Sequence, residues 1–172
     1  MIQGTTRESI LILMRRLLTF AMLAAALALP AGSGAGTRGP NDGTLSVKDG
    51  RGVITIQGRG AVIGSFAQGS VRIFDPIEGD GTGPIVSGEE FHREVDDTTD
   101  IYRGTKVRFR NIGGTFKVVV KGRGINLSFV GKGTVTVNGA GTGDDGTYAT
   151  NGAEYSPIPD FLFTFALSAT NP

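Results

Sequence analysis

Cysteine does not occur in this 172-residue chain, and histidine occurs once, as His92. The first absence excludes disulfides, lipid attachment through cysteine and a cysteine nucleophile. The second leaves a Ser-His-Asp hydrolase a single candidate base, and no nucleophile-elbow motif accompanies it. Past the N-terminal region no segment sustains a helical period, so crossover helices and α/β architectures are not expected. Aromatic residues interleaved with bases, as a platform for stacking nucleotides, are missing too.

What the chain has in excess is glycine, 28 residues, far above ordinary usage. With no collagen period and no long polar tract, that excess reads as many turns between short strands. The N-terminal 1–35 reads as a signal peptide. Arg15 and Arg16 form a positive start, Leu17 to Leu29 is apolar, and Pro30 to Ala35 is a small-residue cleavage region. The apolar run is short of the ~20 residues a spanning helix needs, so no membrane span is expected once the signal is removed. A start at Met14 would give a compact signal peptide. Leu13 and Met14 stand where a twin-arginine signal has a polar residue, which favours the general secretory route. The expected location is therefore secreted or associated with the cell envelope. Residues 36–43 read as a flexible Gly/Pro leader, and 44–172 as one β-domain, long enough to bury a core without staples.

The domain contains one stretch twice. Val53 to Asp75, VITIQGRGAVIGSFAQGSVRIFD, aligns without a gap with Lys117 to Gly139, KVVVKGRGINLSFVGKGTVTVNG, at an offset of 64 residues. The wider duplication is 45–75 and 109–139. Short alternating runs with turn signals every 8–12 residues predict an all-β fold, an antiparallel sandwich or barrel built from two related halves. A short β-solenoid is the alternative, which two copies at so long an offset fit poorly. Asp49-Gly50 predicts a hairpin between Leu45–Val47 and Val53–Gln57, and Asn151-Gly152 a second. Phe161, Phe163, Phe165 and Leu167 share a face at period 2 and are expected to pack across the core.

The apparent dinucleotide motif at Gly58-Arg59-Gly60 and Gly64 fails on its context. It needs a helix opening at the glycines, and the interval to Val71 is too short for a crossover. No cofactor is assigned. Glu90, His92 and Glu94 would share a strand face and invite a metal, but charges on an edge strand that discourage aggregation explain them as well. No calcium-loop spacing surrounds Asp80, Asp144 or Asp145, and no catalytic or metal-binding residues are assigned. Paired turn acids leave glycosidase chemistry open without pointing to it.

Removing residues 1–35 takes Arg7, Arg15, Arg16 and Glu8 from 17 basic and 16 acidic residues, leaving 14 and 15. Such a balance gives no drive toward nucleic acid. The charges are nevertheless segregated. Residues 76–100 hold eight acids and one base, and 101–132 hold eight bases and no acid. If Asn111 to Gly114 turns a hairpin, Lys106, Arg108, Arg110, Lys117 and Lys121 form one basic face, the candidate anion contact. Like charges opposite one another are unfavourable, so either the acidic segment beside them compensates or an outside polyanion does.

The signal peptide, VKDGRGVITIQGRGAVIG, YRGTKVRFRNIGG and the IPD-strand ending together resemble secreted bacterial Gly-rich β-domain proteins with no assigned activity. The likeness covers most of the chain after the signal, implies a stand-alone exported domain, and carries over no functional residue. The function expected is a non-catalytic extracytoplasmic domain that binds or scaffolds in the envelope, with an anionic polymer as partner. The alternatives are a small secreted hydrolase or metal-dependent enzyme using His92, and a surface protein that associates with another copy of itself through its charged faces.

Overall fold

The computed structural model describes residues 39–169. The signal peptide, the candidate start at Met14 and the first residues of the leader lie outside them. Seven strands follow in order: β1 Gly43–Phe74, β2 Gly81–Ser87, β3 Phe91–Asp96, β4 Thr99–Gly139, β5 Thr147–Thr150, β6 Ser156–Pro157 and β7 Phe163–Leu167. No helix occurs among the described residues. The fold is all-β, one antiparallel hydrogen-bonded sheet that does not close on itself.

β1 and β4 are far longer than ordinary strands, and they pair along both edges. Ile54, for example, lies opposite Val120 on one side and Val137 on the other, while Val120 also pairs with Val71. One row of segments therefore runs β3, 99–104, 68–74, 117–123, 51–59, 132–139, β7. A second runs β2, 107–113, 60–66, 126–131, 43–47, β5, β6. In the segments of β1 and β4 alternate residues are buried, while β2, β3 and β6 bury none, and the buried residues form one core with Ile56, Val62, Val107, Val118 and Phe129 fully inside. With no helix to cover that face, the two rows cover each other. The sheet is a sandwich made by folding a single sheet over.

The duplication is visible in the register. Val53 pairs with Lys121 and Gln57 with Lys117. Lys117 and Lys121 are Val53 and Gln57 advanced by 64, so these pairs exchange under a two-fold relation between the copies. The crossings between layers obey it too: Gly58 faces Gly133, and Gly69 faces Gly122. There the backbones approach so closely that a Cβ on Gly122 would stand 2.2 Å from the Gln68 carbonyl oxygen.

Three sequence expectations change. Asp49-Gly50 makes no hairpin. Asp49 adopts a left-handed conformation (φ 49°) and the strand continues through it as a bulge, because Val53–Gln57 has better partners in β4 than in Leu45–Val47. Asn111 to Gly114 makes no hairpin either. Gly113 and Gly114, both at positive φ, let β4 run on into its second half. The C-terminal rings divide. Leu167 is buried and Phe165 packs on the core beside Tyr148, whereas Phe161 and Leu162, before β7, and Phe163, paired with Val137 at its start, remain exposed. The described end of the leader is also tied down, since Asp42 N–H donates to the Gly39 carbonyl and Ala169 N–H to that of Asn41. Asn151-Gly152 turns as its sequence predicts, with both residues at positive φ between β5 and β6.

The loop after β4 is fastened by Asp145. Its carboxylate accepts from the Thr142 hydroxyl at 2.5 Å and from Gly141 N–H at 2.7 Å. The Thr142 hydroxyl bond, then those to the Gly141 and Thr142 amides, holds this carboxyl below the usual range; Asp96 is lowered by the Thr98 hydroxyl and amide in the same way. A depressed folded value means stability that is present above the unfolded pKa and lost as pH falls through the folded one. The thermal midpoint is expected to fall on acidification below about pH 4, and less steeply in Asp145→Asn combined with Asp96→Asn. Parallel acid slopes for the variant and the parent chain would contradict this.

Candidate functional site

The five basic residues singled out by the sequence do not share a face. Lys117 and Lys121 stand on the outside of the first row, opposite Gln57 and Phe74, and opposite Val53 and Ser70. Arg108 and Arg110 stand on the outside of the second row. Lys106 lies at a kink beside them, in a left-handed conformation (φ 57°). The failed hairpin at Asn111–Gly114 is the reason, because β4 changes layer between Arg110 and Lys117 instead of folding back.

Arg108 and Arg110 line a groove of about 540 Å³ on the outer surface of the second row. Two cross-strand rows build it. Ile85, Arg110, Ile63 and Ser128 form one; Ser87, Arg108, Ser65 and Asn126 form the other. No carboxylate lines it. Ser46 continues the first row, and its hydroxyl meets the Tyr155 phenol at 2.7 Å. The Lys48 ammonium lies 4.0 Å from the centre of the Tyr155 ring. The bond to Ser46, then that to Lys48, lowers the Tyr155 pKa. The outer face thus carries three cations, two aliphatic side chains, one aromatic ring and a row of hydroxyls and amides.

Ile63 is there because the two copies part company. In the second copy Ile125, Leu127 and Phe129 point inward while Asn126 and Ser128 point outward. Gly124, in a left-handed conformation (φ 63°), resets the alternation just before them. The first copy has no such reset at Gly60, so Val62, Gly64 and Phe66 face the core and Ile63 faces water. Ile63 is 53% exposed although its sequence counterpart, Leu127, is 4% exposed. The inward position beside it is glycine, and the Phe109 ring occupies the space a Cβ would take. An aliphatic residue outside and none inside is the reverse of what burial favours.

The acidic segment does not neutralise these cations. Among the described residues no Lys or Arg lies within 4.0 Å of a carboxylate; the single ionic contact of that length is His92 with Asp100, at 2.6 Å. The acids are engaged elsewhere. Glu90 accepts from the Thr105 amide and hydroxyl, Asp80 from Thr115 N–H, and Asp96 from Thr98. β2, which does lie beside Arg108 and Arg110, offers them Ile85 and Ser87. Glu90, His92 and Glu94 form no metal set, and no group of three His, Cys, Asp or Glu residues among those described is placed to hold one. His92 stacks on Tyr102 at 4.4 Å, and Asp100 takes its Nε2. Gly58-Arg59-Gly60 lies within β1 with no helix after it, so it offers no phosphate turn.

Sequence reasoning reached Arg108 and Arg110 through charge segregation. It missed Ile63, Ile85, Lys48 and Tyr155, which four separate segments bring together. Comparison with known proteins finds no matching family model, curated protein or solved structure.

Proposed function

We propose that this chain is an exported, non-catalytic β-domain that holds an anionic cell-envelope polymer in the groove of Arg108 and Arg110. The observation that carries the reading is a pair of arginines, without a carboxylate partner, beside two exposed isoleucines in a concave surface. Arginine presents a planar fork suited to carboxylate or phosphate groups. Ile63 and Ile85 supply apolar contact, and Ser65, Ser87, Ser128 and Asn126 supply hydrogen bonds to a polymer backbone. The reading of residues 1–35 as a signal peptide, from Arg15, Arg16 and the apolar run Leu17 to Leu29, supports export. The groove is open rather than enclosed by a lid, which suits a chain segment better than a small substrate.

Polygalacturonate and polyphosphate are suitable probes, one bearing carboxylates and the other phosphates. Binding to at least one is expected by calorimetry, weakening as salt rises because screening shortens exposed charge interactions. A hydrogen bond to a charged group contributes about 1.5–3 kcal/mol, and exposure reduces that. Losing both arginines should still weaken binding about tenfold or more. Affinity unchanged in Arg108→Glu combined with Arg110→Glu would remove the groove from the account.

A further inference from the structure

The described residues contain three buried side-chain oxygens without a hydrogen-bond partner, and all three lie in one place. They are Oδ1 of Asp75, Oδ1 of Asp80 and Oδ1 of Asn111. Asp75 follows the end of β1, Asp80 sits in the turn before β2, and Asn111 lies within β4. Asn111 Nδ2 donates to Asp75 Oδ2 at 3.5 Å. Thr115 N–H donates to Asp80 Oδ2 at 2.9 Å, and Asp80 Oδ1 lies against Gly114, where a Cβ would collide with it.

Asn111 is the decisive member. Its side chain is 0% exposed, in a core otherwise almost wholly apolar. A buried amide whose carbonyl has no donor needs a partner from outside the chain. The carboxylates and the amide oxygen are acceptors and cannot satisfy one another. A single proton would serve one of the three.

We infer that Asp75, Asp80 and Asn111 bind a divalent cation, calcium by its chemistry. Three hard oxygen ligands, two from the connection between β1 and β2 and one from β4, suit calcium, whose flexible shell accepts further carbonyl or water oxygens; magnesium demands a stricter octahedron. Access is through an adjoining cleft of about 560 Å³ lined by Asp75, Glu78, Asp97 and Asp100, whose negative charge would concentrate cations. No calcium-loop spacing marks the site in sequence because its ligands come from positions brought together only by the fold. The bound ion would join the end of β1 to the start of β2, the strand that carries Ile85. This inference is independent of the groove's ligand.

The test is a calcium titration of the chelator-treated protein, followed by calorimetry and by thermal midpoint. One site is expected, with a dissociation constant of about 10⁻⁴–10⁻³ M, as in extracellular modules. The midpoint should rise about 5–10 °C at calcium a hundredfold above that constant. Asp75→Asn and Asp80→Asn should abolish the rise. Without calcium they should melt at or above the parent chain, because each removes carboxylate repulsion. Asp144→Asn, in another loop, should respond like the parent. No heat and no midpoint shift in the parent chain with calcium up to about 10 mM, tenfold above the weak end of that range, would overturn the inference, as would an undiminished response in both variants. The parent titration decides even if a variant fails to fold.

Discussion

Gly122→Ala is expected to destabilise the domain by about 4–5 kcal/mol, among the largest effects a single substitution produces. At Gly122 β4 crosses Gly69 of β1 as the sheet turns from one layer to the other. An added Cβ would stand 2.2 Å from the Gln68 carbonyl oxygen and 2.9 Å from the Gly69 Cα. Both are backbone atoms of a strand already paired on two sides, so neither can move without breaking ladder bonds. The backbone at Gly122 is also at φ 158°, where an L side chain is strained. A loss of that size is a third or more of the stability of an ordinary domain and should lower the thermal midpoint by about 10–15 °C. Gly83→Ala is the control. Its added methyl meets nothing within 4 Å, and the change should stay within about 0.5 kcal/mol. Equal urea midpoints for the two variants would show that the layers do not cross at Gly69 and Gly122.

Phe129→Ala should cost about 3–5 kcal/mol in urea unfolding. Phe129 is 0% exposed and lies opposite Leu45 on one edge and Val62 on the other. Its ring meets Phe116 edge to face, with centroids 6.0 Å apart, an arrangement that contributes about 0.5–1.5 kcal/mol beyond area alone. Phe161→Ala should change stability by less than about 0.5 kcal/mol, because that ring is 61% exposed. A loss at Phe161 comparable to that at Phe129 would mean that the C-terminal rings do pack across the core.

The contrast between those two phenylalanines shows what sequence patterning reveals and what it leaves open. Period-2 alternation identified both segments as strands and marked which residues share a face. It could not say whether that face has anything opposite it. Phe163 pairs with Val137 and is still exposed, as is Phe161, so a place in the ladder does not by itself put a ring in the core. Asp49-Gly50 and Asn111–Gly114 failed for a related reason. A left-handed residue turns a hairpin when the strands on either side prefer each other, and makes a bulge when each has a better partner elsewhere. In this chain the long-range pairing of the two copies wins. Asn151-Gly152 has no such competitor, and its turn forms where the sequence places it.

The candidate site was half legible. Arg108 and Arg110 stand out as bases on alternating positions of a strand. Ile63 does not, because the ungapped repeat makes it equivalent to the buried Leu127. Only the reset at Gly124, absent at Gly60, puts one inside and the other outside. The Asp75, Asp80 and Asn111 cluster left no trace in spacing, since the turn before β2 and the interior of β4 meet through sheet registry alone.

Two charge-swapped proteins measured side by side test the central claim most directly. One carries Arg108→Glu and Arg110→Glu, in the groove. The other carries Lys117→Glu and Lys121→Glu, on the opposite layer, and makes the same change in net charge. Titrated with the same polyanion at the same ionic strength, the groove variant should lose about tenfold or more in affinity, and the opposite-layer variant no more than about threefold, the general effect of altered net charge. Equal losses would mean that the polymer responds to total charge and not to the surface formed by Ile63, Ile85, Arg108 and Arg110.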